Sequence, residues 1–152
     1  ENSRGLLRVG TVLIDGSAHQ IDCVQRAARA TGVEPTIICD LIHVLEYLWK
    51  AGHCFEGEGT PALERYVRDR LYAVLDGKAV DVAAGMRRSA TLRKLRGKKR
   101  KTVDECADYL LNHKQYFDYP SYMKRGLPIS TGVIEGAVRH LVNDDREDKD
   151  DQ

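Results

Sequence analysis

The sequence predicts an α/β protein dominated by helices, in which a short parallel sheet near the start is followed by a long all-helical stretch. Three observations predict it. Two brief β-branched runs, Val9-Gly-Thr-Val-Leu-Ile14 and Pro35-Thr-Ile-Ile-Cys39, each lead into an aspartate, and a helical pattern separates them. That strand, helix, strand, helix order belongs to parallel sheets, whose functional groups gather at the carboxyl ends of the strands. Beyond Asp40 apolar residues recur at helical spacing, and no further strand pattern stands out.

The first run ends at Asp15-Gly16, the signature of a buried strand delivering an aspartate at its edge. Ser17 is placed to cap the next helix, predicted over 18–30, where Ile21, Val24, Ala27 and Ala28 share a face and Thr31-Gly32 stops the pattern. The second strand delivers Asp40. Leu41, Val44, Leu45, Leu48 and Trp49 then form an apolar stripe on a helix ending near Gly52. Thr60 followed by Pro61 opens a helix that closes at Asp76-Gly77, since proline suits a first helical turn and glycine the position past the end. Residues 80–95 are predicted as another helix. Residues 96–101 are predicted as a basic loop, with Thr102 and Glu105 forming a capping box that opens a helix over 103–112. Residues 116–128, with Pro120, Gly126 and three tyrosines, read as a loop or a set of turns, and Ser130 as the cap of a helix over 131–142 that carries Glu135. No internal repeat occurs.

The chain has 152 residues, 42% hydrophobic and 31% charged, enough for one ordinary core. Its 24 Lys and Arg nearly balance 23 Asp and Glu, so the distribution of charge is more informative than the net value of +1. From Arg87 to Lys101 nine cationic side chains occur without an acid, whereas Asp144 to Asp151 holds six acids against two bases. A basic surface followed by a solvated, disordered acidic tail is predicted. Four widely spaced cysteines form neither a zinc-site pair nor a disulfide framework. With no signal segment and no long apolar run, the expectation is a cytoplasmic protein with reduced thiols and no membrane partner.

Three carboxylates stand out by placement: Asp15 and Asp40 at successive strand ends, and Glu135 on a later helix. Singly, each has a plain structural explanation. Asp before Gly is turn chemistry, and a helical Glu135 can pair with Arg139 one turn on. Four motifs bind them into a pattern. Thr11-Val-Leu-Ile-Asp-Gly16, Cys39-Asp-Leu-Ile-His-Val-Leu-Glu-Tyr-Leu-Trp-Lys50, Val82-Ala-Ala-Gly-Met-Arg-Arg88 and Pro128-Ile-Ser-Thr-Gly-Val-Ile-Glu-Gly-Ala-Val-Arg-His-Leu-Val142 resemble, in order, the motifs of DDE transposases of the ISKra group of bacterial insertion sequences. The likeness spans roughly residues 9–142, and its second and fourth blocks are long and specific.

The resemblance implies a partial ribonuclease H-like parallel sheet (residues 1–54 and 128–143) with a large helical insertion (55–127), followed by the tail (144–152). It implies metal-dependent cleavage and strand transfer on DNA, the transposon ends and the target being partners, in a nucleoid-associated homo-oligomer. Two divalent cations about 3.5 to 4 Å apart activate an attacking oxygen and stabilise a leaving one, and oxygen-rich ligation suits Mg2+ or Mn2+. In the family order the second acidic residue precedes an Asp-or-Cys, two residues, His signature, which Asp40-Leu-Ile-His43 reproduces. Asp15 is then the second metal ligand and Glu135 the third, with the first aspartate expected on a strand upstream of residue 1. The alternative set is Asp15, Asp40 and Glu135. His43 either positions the site or takes part in catalysis.

As DNA contacts the sequence offers Arg87, Arg88, Arg93, Lys94, Lys98, Lys99, Arg100 and Lys101, with Arg96 among them, as a sequence-independent phosphate track. Arg139 and His140 follow Glu135 on its predicted helix, Arg139 within reach of a scissile phosphate. Tyr116, Phe117, Tyr119 and Tyr122 are expected to pack a loop onto the core rather than to stack on bases. The acidic segment after Asp144 departs from the family, whose members continue with a basic one. Three functions stand side by side: a transposase core, a remnant that binds DNA without cutting it, and a protein-interaction domain on the old fold.

Overall fold

The structure is a computed structural model that describes residues 10–131. Two strands, β1 (Thr11–Ile14) and β2 (Thr36–Cys39), pair in parallel with Thr11 opposite Thr36 and Ile14 opposite Cys39. The crossover between them is α1 (Ala18–Thr31), which starts where the Ser17 side chain accepts from the Gln20 N–H at 3.2 Å and ends at Gly32 in the left-handed region, φ 69°. The remainder is helical: α2 (Leu41–Gly52), α3 (Pro61–Leu75), α4 (Ala79–Leu92), α5 (Gly97–Asn112), a 3-10 turn (Lys114–Tyr116) and α6 (Tyr119–Lys124). This is a helix-dominated α/β fold whose sheet, among the described residues, has two strands.

Two boundaries differ from the sequence prediction. Residues 98–101 lie in the first turns of α5 rather than in a loop, and Thr102 is inside that helix rather than its cap. The chain turns earlier, through Lys94 at φ 56° and Gly97 at φ 60°, and extended Arg96 becomes the cap residue. Ion pairs from Arg100 to Asp104 (3.1 Å) and from Lys101 to Glu105 (3.9 Å) join successive turns and support the early start. The segment predicted as turns contains α6, with Pro120 in its first turn, where its missing N–H costs nothing.

The core lies between α2, α3, α4 and α5. Leu48, Leu63, Val74, Ala83, Met86, Val103 and Leu110 are essentially sealed from solvent. Cys39 with Ile14 on one face of the sheet, and Ile38 on the other, extend that core, whereas α1 contributes no buried residue. The aromatic segment packs as expected, with Phe117, Tyr119 and Tyr122 buried. It also does something the sequence did not announce. The Tyr119 hydroxyl donates to the Cys39 carbonyl at 2.6 Å and the Tyr122 hydroxyl to the Ile37 carbonyl at 3.4 Å. These carbonyls alternate with the groups that pair β2 to β1, so the two tyrosines close the outer edge of β2 to further strands. Among the described residues no helix is long and apolar enough to cross a membrane.

Candidate functional site

Parallel pairing carries both aspartates to the same end of the sheet. The Asp40 N–H donates to the Ile14 carbonyl at 2.8 Å, so Asp15 and Asp40 are the next residues along from the last register pair. Their carboxylates then part. Asp40 is only 4% exposed and is fully engaged: Oδ1 accepts from the Ile42 N–H at 3.0 Å, capping α2, and Oδ2 accepts from the Thr131 hydroxyl at 2.7 Å. The Thr131 N–H lies 3.3 Å from both oxygens, and the Leu41 N–H donates to the Ile129 carbonyl at 2.9 Å. A buried carboxylate needs such donors to offset its lost hydration. Asp40 therefore ties residues 129–131 to the carboxyl end of β2.

Asp15 is half-buried and lies open to a cleft of about 290 Å³, which it lines together with His43, Glu46, Lys50, Tyr109 and His113. Oδ1 accepts from the Ser17 N–H at 2.7 Å, the aspartate turn that an Asp-Gly-Ser sequence favours. Among the described residues that is its only side-chain hydrogen bond, and Oδ2 takes no part in it. His43 shares this cleft with Asp15, and its Nδ1 lies 3.3 Å from Glu46 Oε2 one turn on.

The far wall of the cleft comes from the end of α5, which sequence reasoning did not connect with Asp15. The Tyr109 hydroxyl donates to the Asp15 carbonyl at 3.2 Å, and its ring stacks on Tyr47 with centroids 3.8 Å apart. His113 is wedged between two carbonyls, with Nε2 2.6 Å from Gly16 O and Nδ1 2.7 Å from Tyr109 O. Gly16 sits at φ 97°, and a Cβ there would stand 2.9 Å from the Tyr109 ring. Glycine is thus required twice over, by conformation and by space. The signal was present as Tyr109 and His113 four apart on one helix face, but their partner lies more than ninety positions away. Burial pushes the Tyr109 hydroxyl far above its ordinary range and the Cys39 thiol beneath the site up to about 12.

Of the expected carboxylates, Asp15 and Asp40 are at one end of the sheet, and Glu135 lies outside the described residues, as do Arg139 and His140. Among the described residues no group of three or more His, Cys, Asp or Glu side chains could hold a metal ion. The donors that Asp15 and Glu46 offer to the cleft are oxygens, the chemistry that Mg2+ or Mn2+ prefers.

The basic track is divided. Arg87 is paired with Asp108 and, at 3.5 Å, with Asp104. Arg100 is bound to Asp104 and to the Thr91 hydroxyl at 2.9 Å, Arg93 to Glu56 at 3.3 Å, and Lys101 to Glu105. Arg88, Lys94, Lys98 and Lys99 are exposed and enter none of the ion pairs among the described residues. An acid-free stretch of sequence is therefore not an acid-free surface, because α5 brings Asp104 and Asp108 against α4.

Comparison with protein-family models, with curated proteins and with solved structures finds no match to this chain.

Proposed function

We propose that this chain is part of the catalytic core of a DDE transposase, built on a ribonuclease H-like sheet with a helical insertion, that cuts and joins DNA strands with Mg2+ or Mn2+. The observation that carries the reading is the tether from Asp40 to Thr131. It brings the start of the motif containing Glu135, four residues further on in sequence, to the sheet end where Asp15 lies open to a cleft. Glu135 and Asp15 are the ligands in this reading, and Asp40 is a positioning residue, since all its described contacts are to neighbouring donors. Bound divalent cations supply charge for the attacking and leaving oxygens of the phosphodiester. His43 and Lys50 line the same cleft, where they can orient water or a phosphate oxygen beside Asp15. Further strands of the sheet attach at the outer edge of β1, since β2's outer edge is closed by Tyr119 and Tyr122. Arg88, Lys94, Lys98 and Lys99 supply cations for the DNA backbone, and the assembly is a homo-oligomer in the nucleoid-containing compartment.

A second reading, DNA binding without cleavage, draws on one observation: exposed Arg88, Lys94, Lys98 and Lys99, whose contacts to a DNA backbone need no metal. One experiment separates the two. Strand cleavage of duplex and supercoiled DNA that requires Mg2+ or Mn2+ and disappears in Glu135→Gln and Asp15→Asn supports the transposase. Salt-sensitive DNA binding with no cleavage by the native sequence contradicts it in favour of the second reading. Loss of both DNA and metal binding at physiological salt points instead to a protein-interaction domain.

A further inference from the structure

A second pocket, of about 250 Å³, opens on the helical side between α3, the C-terminal part of α4 and the loop after α2. Arg65, Arg70 and Arg93 converge on it with Ser89. Its wall is aromatic: the rings of Phe55 and Tyr66 lie 5.4 Å apart, the Arg70 guanidinium carbon stands 3.4 Å over the Tyr66 ring, and that of Arg93 stands 5.4 Å over Phe55. Stacking fixes the planes of both guanidinium groups before any ligand arrives, which removes much of the ordering cost of recognition.

The two carboxylates at the pocket neutralise Arg93 but leave the charge of Arg65 and Arg70. Glu56 is held by Arg93 at 3.3 Å, and Asp69 faces Arg68, 3.6 Å away on the same helix. Arg65 enters no ion pair among the described residues, and the one hydrogen bond of Arg70 among them is to the Tyr66 carbonyl at 3.1 Å. A guanidinium carries five N–H donors, so most of the fork on each arginine is left over. Two arginines with donors to spare, a hydroxyl and a third arginine held in place by Glu56 and the Phe55 carbonyl match a tetrahedral oxyanion, and bidentate arginine is the side chain best suited to phosphate.

We infer that this pocket binds a phosphoryl group, in an anchor at the end of α4 beside exposed Lys94, the donors being Arg65, Arg70 and Ser89, with Arg93 as the paired arm. Two sources share this chemistry: a nucleic-acid backbone phosphate and a free phosphate. The inference rests on the nucleic-acid part of the reading above and not on its cleavage chemistry.

The test uses the full chain labelled with 15N. Inorganic phosphate is titrated at constant ionic strength against chloride while the arginine Nε–H resonances are followed, and affinity for a duplex oligonucleotide is measured without divalent metal. Saturable shifts at Arg65, Arg70 and Arg93 are expected. Arg65→Gln and Arg70→Gln should abolish them and weaken duplex binding about tenfold, with the salt slope falling by about one, while Lys78→Gln, outside the pocket, changes affinity less than about twofold. Arg65→Gln keeps the test valid if Arg70→Gln fails to fold, because Arg65 is exposed and holds no ion pair. Phosphate shifts with unchanged duplex affinity would assign the pocket to free phosphate. Absence of saturable shifts, or variants no different from Lys78→Gln in both arms, would overturn the inference. Failure of DNA cleavage with these shifts intact would bear on the transposase reading alone.

Discussion

The helices α2 to α5 and the sheet with α1 are built on opposite terms. The helical half seals Leu48, Val74, Ala83, Met86 and Leu110 from water, whereas α1 buries none of its fourteen residues. Parallel strands are ordinarily covered on both faces. Here buried side chains stand on both faces, Ile14 and Cys39 on one and Ile38 on the other, while Val12, Leu13 and Ile37 are only partly covered. Labour is divided between them: the helices hold the fold, and the sheet presents Asp15 at its carboxyl end. The two meet where Tyr109 and His113 of the α5 end grip the Asp15-Gly16 turn and where Tyr119 and Tyr122 hold β2.

That division breaks most visibly in the helical half. Leu48→Ala should cost about 2–5 kcal/mol of unfolding free energy, read from urea transitions followed by circular dichroism, because its cavity opens in packed core. Asp40→Ala comes next, at about 1–3 kcal/mol, since it removes the α2 cap and leaves the Thr131 and Ile42 donors without their buried acceptor. In that variant hydrogen exchange should quicken at Leu41 and Thr131 before the centre of α4 is affected, which would sharpen the view that Asp40 positions rather than ligates. Gly16→Ala is expected to cost about 1–3 kcal/mol through its positive φ and the close Tyr109 ring, and to disturb the Asp15 turn more than α3 or α4. Smallest is Val24→Ala on α1, within about 1 kcal/mol. A cost there equal to that of Leu48→Ala would erase the distinction between the halves.

Thiol chemistry tests both halves together. Burial raises Cys39 to about 12 and Cys106 to about 11 from the ordinary 9.0. The folded state therefore holds these protons more tightly than the unfolded chain does. Their contribution is complete below about pH 9 and declines as pH rises towards 11 to 12. Stability measured by urea titration should fall across that alkaline window, and less steeply in Cys39→Ala. At pH 8 exposed Cys23 should react with a thiol reagent while Cys39 and Cys106 wait for unfolding.

Much of this architecture was legible because it is local. Ser17 and Thr60-Pro61 mark helix starts by chemistry within a few residues, and the β-branched runs before Asp15 and Asp40 mark the strands. The early start of α5 was not legible, since Gly97 and the lysines after it look like a basic loop until their acid partners one turn on are counted. Nor were the site's walls. Tyr109 and His113 reach Asp15 and Gly16 across the whole helical stretch, and the neutralisation of Arg87 by Asp108 depends on how α4 meets α5. Spacing along the chain records none of these meetings.

The reading stands or falls on whether Asp15 and Glu135 hold metal together. Mn2+ added to the 15N-labelled full chain should broaden amide resonances around Asp15 and Glu135 first, at substoichiometric metal, and the broadening should vanish in both Asp15→Asn and Glu135→Gln while the spectrum stays folded. Broadening centred elsewhere, or unchanged in either variant, would contradict it.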